Sequence, residues 1–510
     1  MSPGHRRWAV PWSELGSHLR LGLPRMTETT PERIGSQAVL SSLGMLMSGL
    51  VRFGYSWVVA TAFGKTVLGH VNSSISLALF VSLLYPAAAG MAATKYVAMA
   101  RGAGDLPRAG ALAAYLTKLS YAAALALGVV AAVLTPVLLA LGWWDAVMTG
   151  ALVVSNSAYL VARNLLYGAG RVRRATTWDF LTSIATLLAL GLVAAFDLPW
   201  ALLVPLSAGY LVYALANLPS RTRDSPPSEL RGEMRRFLHI SLVNSLATSG
   251  TLQLSMVAAQ MSDPGEAGSF AAALTLATPA SLVARSLSSV LFPSLALATG
   301  REDRTSAARH VDLTTRALLL SSVAVFAPLM LAASLLIRLV YFTRPELGNA
   351  ALVLPILLAA VMLQNSLIGP TNLLLVTSER TARRLMWFSV AGALVSLVWW
   401  LAFAPTGGFV SVAWGYLAGV VVAYGGPLVL VWRSWSMRWT GPIGRFGIAV
   451  VVLLGASLWG SSARWSPLTQ VMVSLAALIV WLLVSLPDVR LVVQLARRRP
   501  PTQTSALEQE

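Results

Sequence analysis

Apolar residues along the chain come in blocks of about 20, the length that crosses the hydrocarbon of a bilayer, separated by short polar gaps rich in arginine. Blocks long enough to span run over 36–62, 70–98, 110–141, 146–169, 177–196 and 199–219. After a polar gap the series resumes at 237–261, 268–298, 312–342, 348–377, 385–405 and 408–432, and a last pair follows at 442–461 and 467–487. The pattern predicts an all-α polytopic membrane protein of about fourteen transmembrane helices.

Lysine and arginine collect in alternate gaps, and such gaps face the cytoplasm. One series runs through Arg6, Arg7, Arg20, Arg25 and Arg33, then Arg101 and Arg108, Arg171 to Arg174, and Arg221 to Arg236. It continues through Arg301 to Arg309, Arg380 to Arg384, Arg433 to Arg445 and Arg497 to Arg499. The intervening gaps hold little beyond Lys65, Arg344 and Arg464. Both termini are therefore expected in the cytoplasm and the chain in the cytoplasmic membrane of a bacterial cell. Residues 1–35 lack a signal-peptide pattern, since Arg6 and Arg7 precede only a stretch broken by Pro11, Glu14 and His18. They read as an unstructured tail, with an interfacial helix or a translation start at Met26 as alternatives.

Composition narrows the class. With 56% hydrophobic and 11% charged residues the chain is no ordinary soluble enzyme, and its net charge of +18 sits in the topology-setting gaps, not in a nucleic-acid-binding face. There is no cysteine, and His5, His18, His70, His239 and His310 have no metal-ligand spacing; no metal site and no cofactor is expected. No glycine-rich phosphate loop ending in Lys-Ser or Lys-Thr is present, so the chain is not itself a nucleotide-driven pump. Gly441, Gly444 and Gly447 read as a helix-packing stripe. The acids Asp145, Asp263, Glu266 and Glu346 lie singly in short outer gaps, where they cap helices or meet solvent, and no acid and base converge as an enzyme needs. Repeated pore motifs, the mark of a selective channel, are also missing.

The two halves of the chain match. Gly102 to Asp105 faces Gly300 to Asp303, Pro136 faces Pro328, and Asn164-Leu-Leu, a basic cluster and Trp178 face Asn372-Leu-Leu, a basic cluster and Trp387. Six spans per copy gives two lobes in the same orientation, related by a pseudo-two-fold axis along the membrane normal, with chance matching of apolar sequence as the alternative. The expected organisation is a tail (1–35), an N-lobe (36–219), a linker (220–236), a C-lobe (237–434), a two-span appendix (435–487) and a second cytoplasmic tail (488–510).

Charge at mid-bilayer is costly and marks function. Arg52 lies near the middle of the first span and Arg285 near the middle of the eighth, one guanidinium per lobe, suited to phosphate or carboxylate oxygens; locking of helices is the alternative. Amides are spread through the spans at Asn156, Asn164, Asn244, Gln253, Gln260, Gln364, Asn365 and Asn372, and they fit either sugar hydroxyls or interhelical hydrogen bonds. Lys95, Lys118, Arg163 and Arg338 lie nearer span ends and read as snorkelling cations. Asp179 is expected to pair with the neighbouring Arg171 to Arg174. Prolines at 86, 136, 205, 279, 328, 355 and 370 permit bends.

Ala60-Thr-Ala-Phe-Gly64, Gly69, the serine-rich span through Gly90, Ala93 to Ala98, and the Gly102 to Asp105 turn resemble the opening of polysaccharide flippases of the multidrug/oligosaccharidyl-lipid/polysaccharide exporter superfamily. The resemblance implies alternating-access movement of a polyprenyl-diphosphate-linked oligosaccharide, or a similar anionic lipid-linked cell-surface precursor, from the cytoplasmic to the outer leaflet. On that reading Arg52 and Arg285 hold the diphosphate, while Asn156, Asn244, Gln253, Gln364 and Asn365 line the sugar cleft. The expected partners are the lipid-linked glycan, membrane lipids, and glycosyltransferases or a polymerase of the same pathway, with the chain itself a monomer. Two other classes stay open: an ion-coupled multidrug or metabolite antiporter on the same fold, and a scaffold that recruits glycosyltransferases.

Overall fold

A computed structural model of the chain describes residues 47, 49–218, 228–280 and 304–490. Those residues are helices joined by short turns, with no strand among them. The first span is α1 (49–63). The second is broken into α2 (Lys65–Leu83) and α3 (Pro86–Gly102), and α4 (Leu106–Leu139), α5 (Trp143–Gly168), α6 (Val172–Ala195) and α7 (Val204–Ala216) follow. The seventh comprises α8 (Ser228–Ser245), a π-helical turn at Leu246–Gly250, and α9 (Thr251–Ser262); α10 (Ala267–Ala280) opens the eighth. Next come α11 (Arg304–Leu331) with α12 (Ala333–Val340), and α13 (Ala350–Ser366) with α14 (Ile368–Thr377). Helix α15 (Glu379–Ser434) carries two predicted spans in two arms, and α16 (Thr440–Ser462) and α17 (Pro467–Val484) complete the series.

Among the described residues nine helices are long and apolar enough to cross a membrane, or ten when α13 and α14, bent by 46°, count as one. Each of the other predicted spans falls on helix over its described residues: the two arms of α15 make one count into two, α8 and α9 are parted by the π turn, and α1 and α10 each adjoin undescribed residues. One boundary differs. The predicted linker reached residue 236, yet α8 is helical from Ser228, because Glu229 to Arg236 contains no proline and one glycine, and nothing there stops a helix.

Local sequence explains the joints. Gly64, at φ 85°, turns the chain from α1 into α2, in the left-handed region where a Cβ is strained. Gly408, at φ 56°, separates the arms of α15 three residues after Pro405. Ser378 and Thr381 form a reciprocal capping box at the start of α15, satisfying amides that have no partner within the helix. Of the prolines, Pro86 follows the break after α2, Pro328 precedes the break between α11 and α12, and Pro370 follows the bend between α13 and α14, whereas Pro136, Pro279 and Pro355 are carried inside continuous helices.

The halves echo each other in helix ends. Helix α4 stops at Leu139, three residues after Pro136, and α11 stops at Leu331, three residues after Pro328. Helices α3 to α7 pack on one another, as do α9 to α15. The two sets meet where α2 packs on α9 and α10, α4 on α9, and α3 on α8. Helix α13 is buried along nearly its whole length. The appendix α16–α17 docks on α11, where Arg316 pairs with Asp312 (2.9 Å) and Asp488 (3.3 Å) and Arg445 also pairs with Asp488. Exposed apolar side chains such as Leu125, Val133, Leu188, Leu401, Val451 and Leu468 clothe the outside, as lipid contact requires.

Close helix crossings rest on glycine, though not on the stripe read from the sequence. Nothing lies within 4 Å of where a Cβ would stand at Gly444 or Gly447, and Gly441 meets only Arg445 of its own helix. The crossings use Gly128 against Gly150, Gly392 against Gly419, and Gly69 against Gly268. The last of these joins α2 to α10, counterparts in the repeat. A Cβ at Gly268 would stand 2.0 Å from the Lys65 carbonyl oxygen, and one at Gly69 2.9 Å from the Gly268 amide.

Candidate functional site

Three groups of polar side chains occupy the region where the two halves meet and the interior of the first half. The first closes the end of the molecule opposite the arginine-rich gaps. Lys65, at the start of α2, donates to Glu266, just before α10, at 2.6 Å. Glu266 also accepts from Asn349, before α13, at 3.0 Å and from Ser269 at 2.7 Å. Desolvation alone would raise the Glu266 carboxyl, but the Lys65, Ser269 and Asn349 donors outweigh it and hold the group below its ordinary value. Beside it, Arg344 donates to the carbonyls of Thr61 (2.9 Å) and Ala62 (3.0 Å), which end α1, and the Trp57 indole donates to the Val340 carbonyl at 3.0 Å. Glu266 was expected to stand singly; it is the centre of a latch joining α1–α2 to α10, α12 and α13.

The second group is a buried network among α5, α6 and α7. Asp179, 3% exposed, accepts from Arg163 Nε at 2.9 Å and from the Tyr159 hydroxyl at 2.9 Å. Tyr159 stacks on Tyr210 with ring centres 4.8 Å apart and meets Tyr213 edge-on at 4.8 Å. This corrects two expectations. Asp179 pairs not with the Arg171 to Arg174 cluster but with Arg163 sixteen residues away on α5, and Arg163 does not snorkel to water. Helix α6 places Asp179 two turns inside its start, facing α5, while Arg174 turns the other way to bond Asn217 at 2.9 Å and the Ala216 carbonyl at 2.9 Å. Arg163 Nη2 and the Tyr167 hydroxyl are buried with no hydrogen-bond partner among the described residues.

Arg52 adjoins this network from α1. Gly54 lies against Leu187 of α6 and the Tyr55 hydroxyl donates to the Leu202 carbonyl, fixing that face of α1 on the α6–α7 side. Arg52 is half-buried, interacts electrostatically with Tyr210 of α7, and makes no ion pair among the described residues. Arg285 lies outside the described residues.

The third group is the set of polar faces on α2, α5 and α9, in which α2 packs on both α5 and α9. Helix α2 buries Asn72, Ser73, Ser74, Ser76 and Ser82, α5 buries Ser155, Asn156 and Ser157, and α9 buries Thr251, Ser255 and Gln260. Ser56 of α1 donates to Asn72 at 3.1 Å. Within this group Ser76 Oγ of α2, Asn156 Nδ2 of α5 and Gln260 Oε1 of α9 are buried with no hydrogen-bond partner among the described residues. Buried polar atoms are ordinarily paired, so water or a polar ligand is the natural complement. The other predicted amides are spread more widely. Asn244 of α8 accepts from Ser389 of α15 at 3.2 Å, Gln364 of α13 donates to the Tyr416 hydroxyl at 2.7 Å, Asn365 is buried, and Gln253 is half-buried on α9. Asn244 and Gln364 therefore serve as interhelical ties. The serines and Asn72 of α2 were missing from the predicted set; their signal was the run Asn-Ser-Ser-Ile-Ser at 72–76, too polar for a lipid-facing helix.

Solved structures similar to this chain in fold include transporters. An inward-closed lipid II flippase, MurJ, aligns over 89% of this chain and all of its own with 14% identity and a TM-score of 0.59. An inward-facing multidrug resistance MATE family transporter of the MOP superfamily aligns over 79% of this chain and 99% of its own with 16% identity and a TM-score of 0.57. The chain has the MOP transporter fold. A MOP superfamily transporter from Pyrococcus furiosus, whose structure is described as suggesting a different function from the reversed polarity of its binding pocket, aligns over 78% of this chain and 95% of its own with 16% identity and a TM-score of 0.52. No protein-family model matches the chain, and no curated protein matches it in sequence. On the MOP fold the latch lies at one end of the contact between the halves and the Asp179 network inside the first.

Proposed function

We propose that this chain flips a polyprenyl-diphosphate-linked oligosaccharide, or a similar anionic lipid-linked precursor, across the cytoplasmic membrane of a bacterium by alternating access. The observation that carries the reading is the contrast in charge inside the first half. The membrane-embedded acid Asp179 is neutralised by Arg163 at 2.9 Å, while Arg52 has no acid partner among the described residues. A guanidinium kept in a low-dielectric region without a carboxylate attracts an anion. Arg52 is assigned to the diphosphate, and the hydroxyl- and amide-rich faces of α2, α5 and α9 to the sugars. The arginine-rich gaps favour both termini in the cytoplasm. The latch then lies on the outer side, and its closure corresponds to a cleft loaded from the cytoplasm. Glycosyltransferases or a polymerase of the same pathway are the proposed partners.

A multidrug antiporter on the same fold is the second reading, favoured by Asp179 itself: a buried carboxylate can bind a cation or carry a proton. The two readings separate in proteoliposomes. With a fluorescent polyprenyl-diphosphate sugar, the flippase exposes the label to an external quencher and Arg52→Ala does not. An antiporter instead moves a cationic dye, loses that activity in Asp179→Asn and with an ionophore, and keeps it in Arg52→Ala. Dye transport of that kind without lipid flipping would end the first reading.

A further inference from the structure

The two arms of α15 hold a groove at their arginine-rich end. Its cavity measures about 610 Å³ and is lined by Phe388 on one arm and Gly425, Gly426, Val429, Leu430 and Arg433 on the other. That volume falls in the range of about 300–1,000 Å³ typical of ligand sites. Glycine makes the space. Gly426 fits against the Phe388 ring, and nothing stands within 4 Å of a Cβ at Gly425. Val429 is exposed, so the groove opens sideways to the bilayer and not into the space between the halves.

Charge and aromatic placement identify the occupant. Arg433 is exposed at the groove's end. The arms run antiparallel, with Gly392 against Gly419, Ser396 bonded to the Gly415 carbonyl and Phe388 against Gly426. That register brings Arg380 and Arg384 to the level of Arg433 and Leu430. The exposed Trp387 lies beside Phe388, and exposed tryptophans sit at the level of lipid headgroups. A hydrocarbon slot whose mouth is ringed by guanidinium groups at headgroup depth matches a lipid with an apolar chain and a phosphate.

We propose that this groove is a binding site for an anionic phospholipid of the leaflet at the arginine-rich face. One acyl chain lies along Gly425 and Gly426, and the phosphate meets Arg433 with support from Arg384 and Arg380. The site is separate from Arg52 and independent of which substrate the protein moves. Bound lipid packs on Phe388, the residue before Ser389, which bonds Asn244 of α8, so leaflet charge acts on the contact between α15 and α8.

The test is native mass spectrometry of the full chain, released from nanodiscs of phosphatidylglycerol or of phosphatidylcholine. Gly425→Leu fills open space in a helix that tolerates leucine better than glycine, so it keeps the fold, which a thermal melt in detergent verifies. The wild type is expected to retain one phosphatidylglycerol more than Gly425→Leu. Arg433→Gln should weaken that retention about five-fold, the usual worth of one basic residue at an anionic surface, without altering phosphatidylcholine. Equal lipid counts in wild type and Gly425→Leu would overturn the site. Equal retention of the two lipids, unaffected by Arg433→Gln, would overturn the phosphate assignment.

Discussion

Arg52 and Arg163 are the same side chain in two helices of the first half, both close enough to Tyr210 to act on it electrostatically, and their surroundings are opposite. Arg163 has a carboxylate at 2.9 Å and lies over the Tyr167 ring at 5.3 Å. Arg52 has a tyrosine neighbour and no carboxylate among the described residues. The first guanidinium is accounted for by the fold, and the second is not. A half-buried charge without an acid partner gains no pairing energy from the fold, so Arg52 is the guanidinium whose counter-charge the described residues do not supply. What distinguishes a site from a strut here is the state of the counter-charge.

Removing counter-charge gives the largest expected effect. Asp179→Ala leaves Arg163 buried and unpaired and should lower stability by about 3–5 kcal/mol, read as an earlier loss of the monodisperse peak on heating in detergent. Arg52→Ala should change stability by less than about 1 kcal/mol while abolishing flipping, since it removes an uncompensated charge from a half-buried place. Equal destabilisation by the two would erase the distinction and make Arg52 a structural residue.

Next is the double substitution Arg163→Met with Asp179→Leu. Apolar replacement of a complete buried pair is often neutral, so the double variant should recover most of what Asp179→Ala loses. With the matching singles Arg163→Met and Asp179→Leu measured as well, the double-mutant cycle should give a coupling of about 2–3 kcal/mol. A double variant as unstable as the single would assign the loss to Tyr159, which also donates to Asp179 at 2.9 Å, and not to the ion pair.

The chain announced its helices far better than its pairings. Block lengths and proline positions predicted the spans, and Pro86, Pro328 and Pro370 do stand at breaks. Helix ends after Pro136 and Pro328 agree to the residue across the repeat. Asp179 was assigned to the nearest arginines in sequence, but a helix rotates about 100° per residue, so nearness along the chain says little about which face a side chain occupies. Its partner came from another helix. Gly441, Gly444 and Gly447 misled for the same reason: glycine spacing is necessary for a close crossing, and it does not name a partner. Gly69 and Gly268, separated by about two-fifths of the chain, form one with no local signal. Glu266 looked solitary because Lys65, Asn349 and Ser269 reach it mainly from other elements.

A subtler test concerns geometry at Arg52. Arg52→Lys keeps the charge and loses the planar fork that grips two oxygens at once. Charge-assisted hydrogen bonds are worth about 1.5–3 kcal/mol, so flipping should fall at least about ten-fold but not vanish, whereas a purely electrostatic role predicts near wild-type rates. The initial rate of label quenching in proteoliposomes decides between them.

The smallest expected effect lies in the latch. Lys65 and Glu266 side chains are 17% and 22% exposed, and pairs in that setting contribute about 1 kcal/mol or less. The Glu266 carboxyl is held below its ordinary value. Its contribution to closure is therefore complete above the ordinary carboxyl range and declines as pH falls through its lowered value. Because the chain has no cysteine, Ala62→Cys and Gly348→Cys can be labelled alone with a pair of spin probes. The distance between them should stay short at neutral pH and broaden toward longer values only under distinctly acid conditions. Glu266→Gln should produce part of that broadening at neutral pH, while Arg344, bonded to carbonyls that do not titrate in this range, keeps the remainder closed. Broadening already near pH 6 would mean that another group opens the latch and that Glu266 is not its pH-sensitive element.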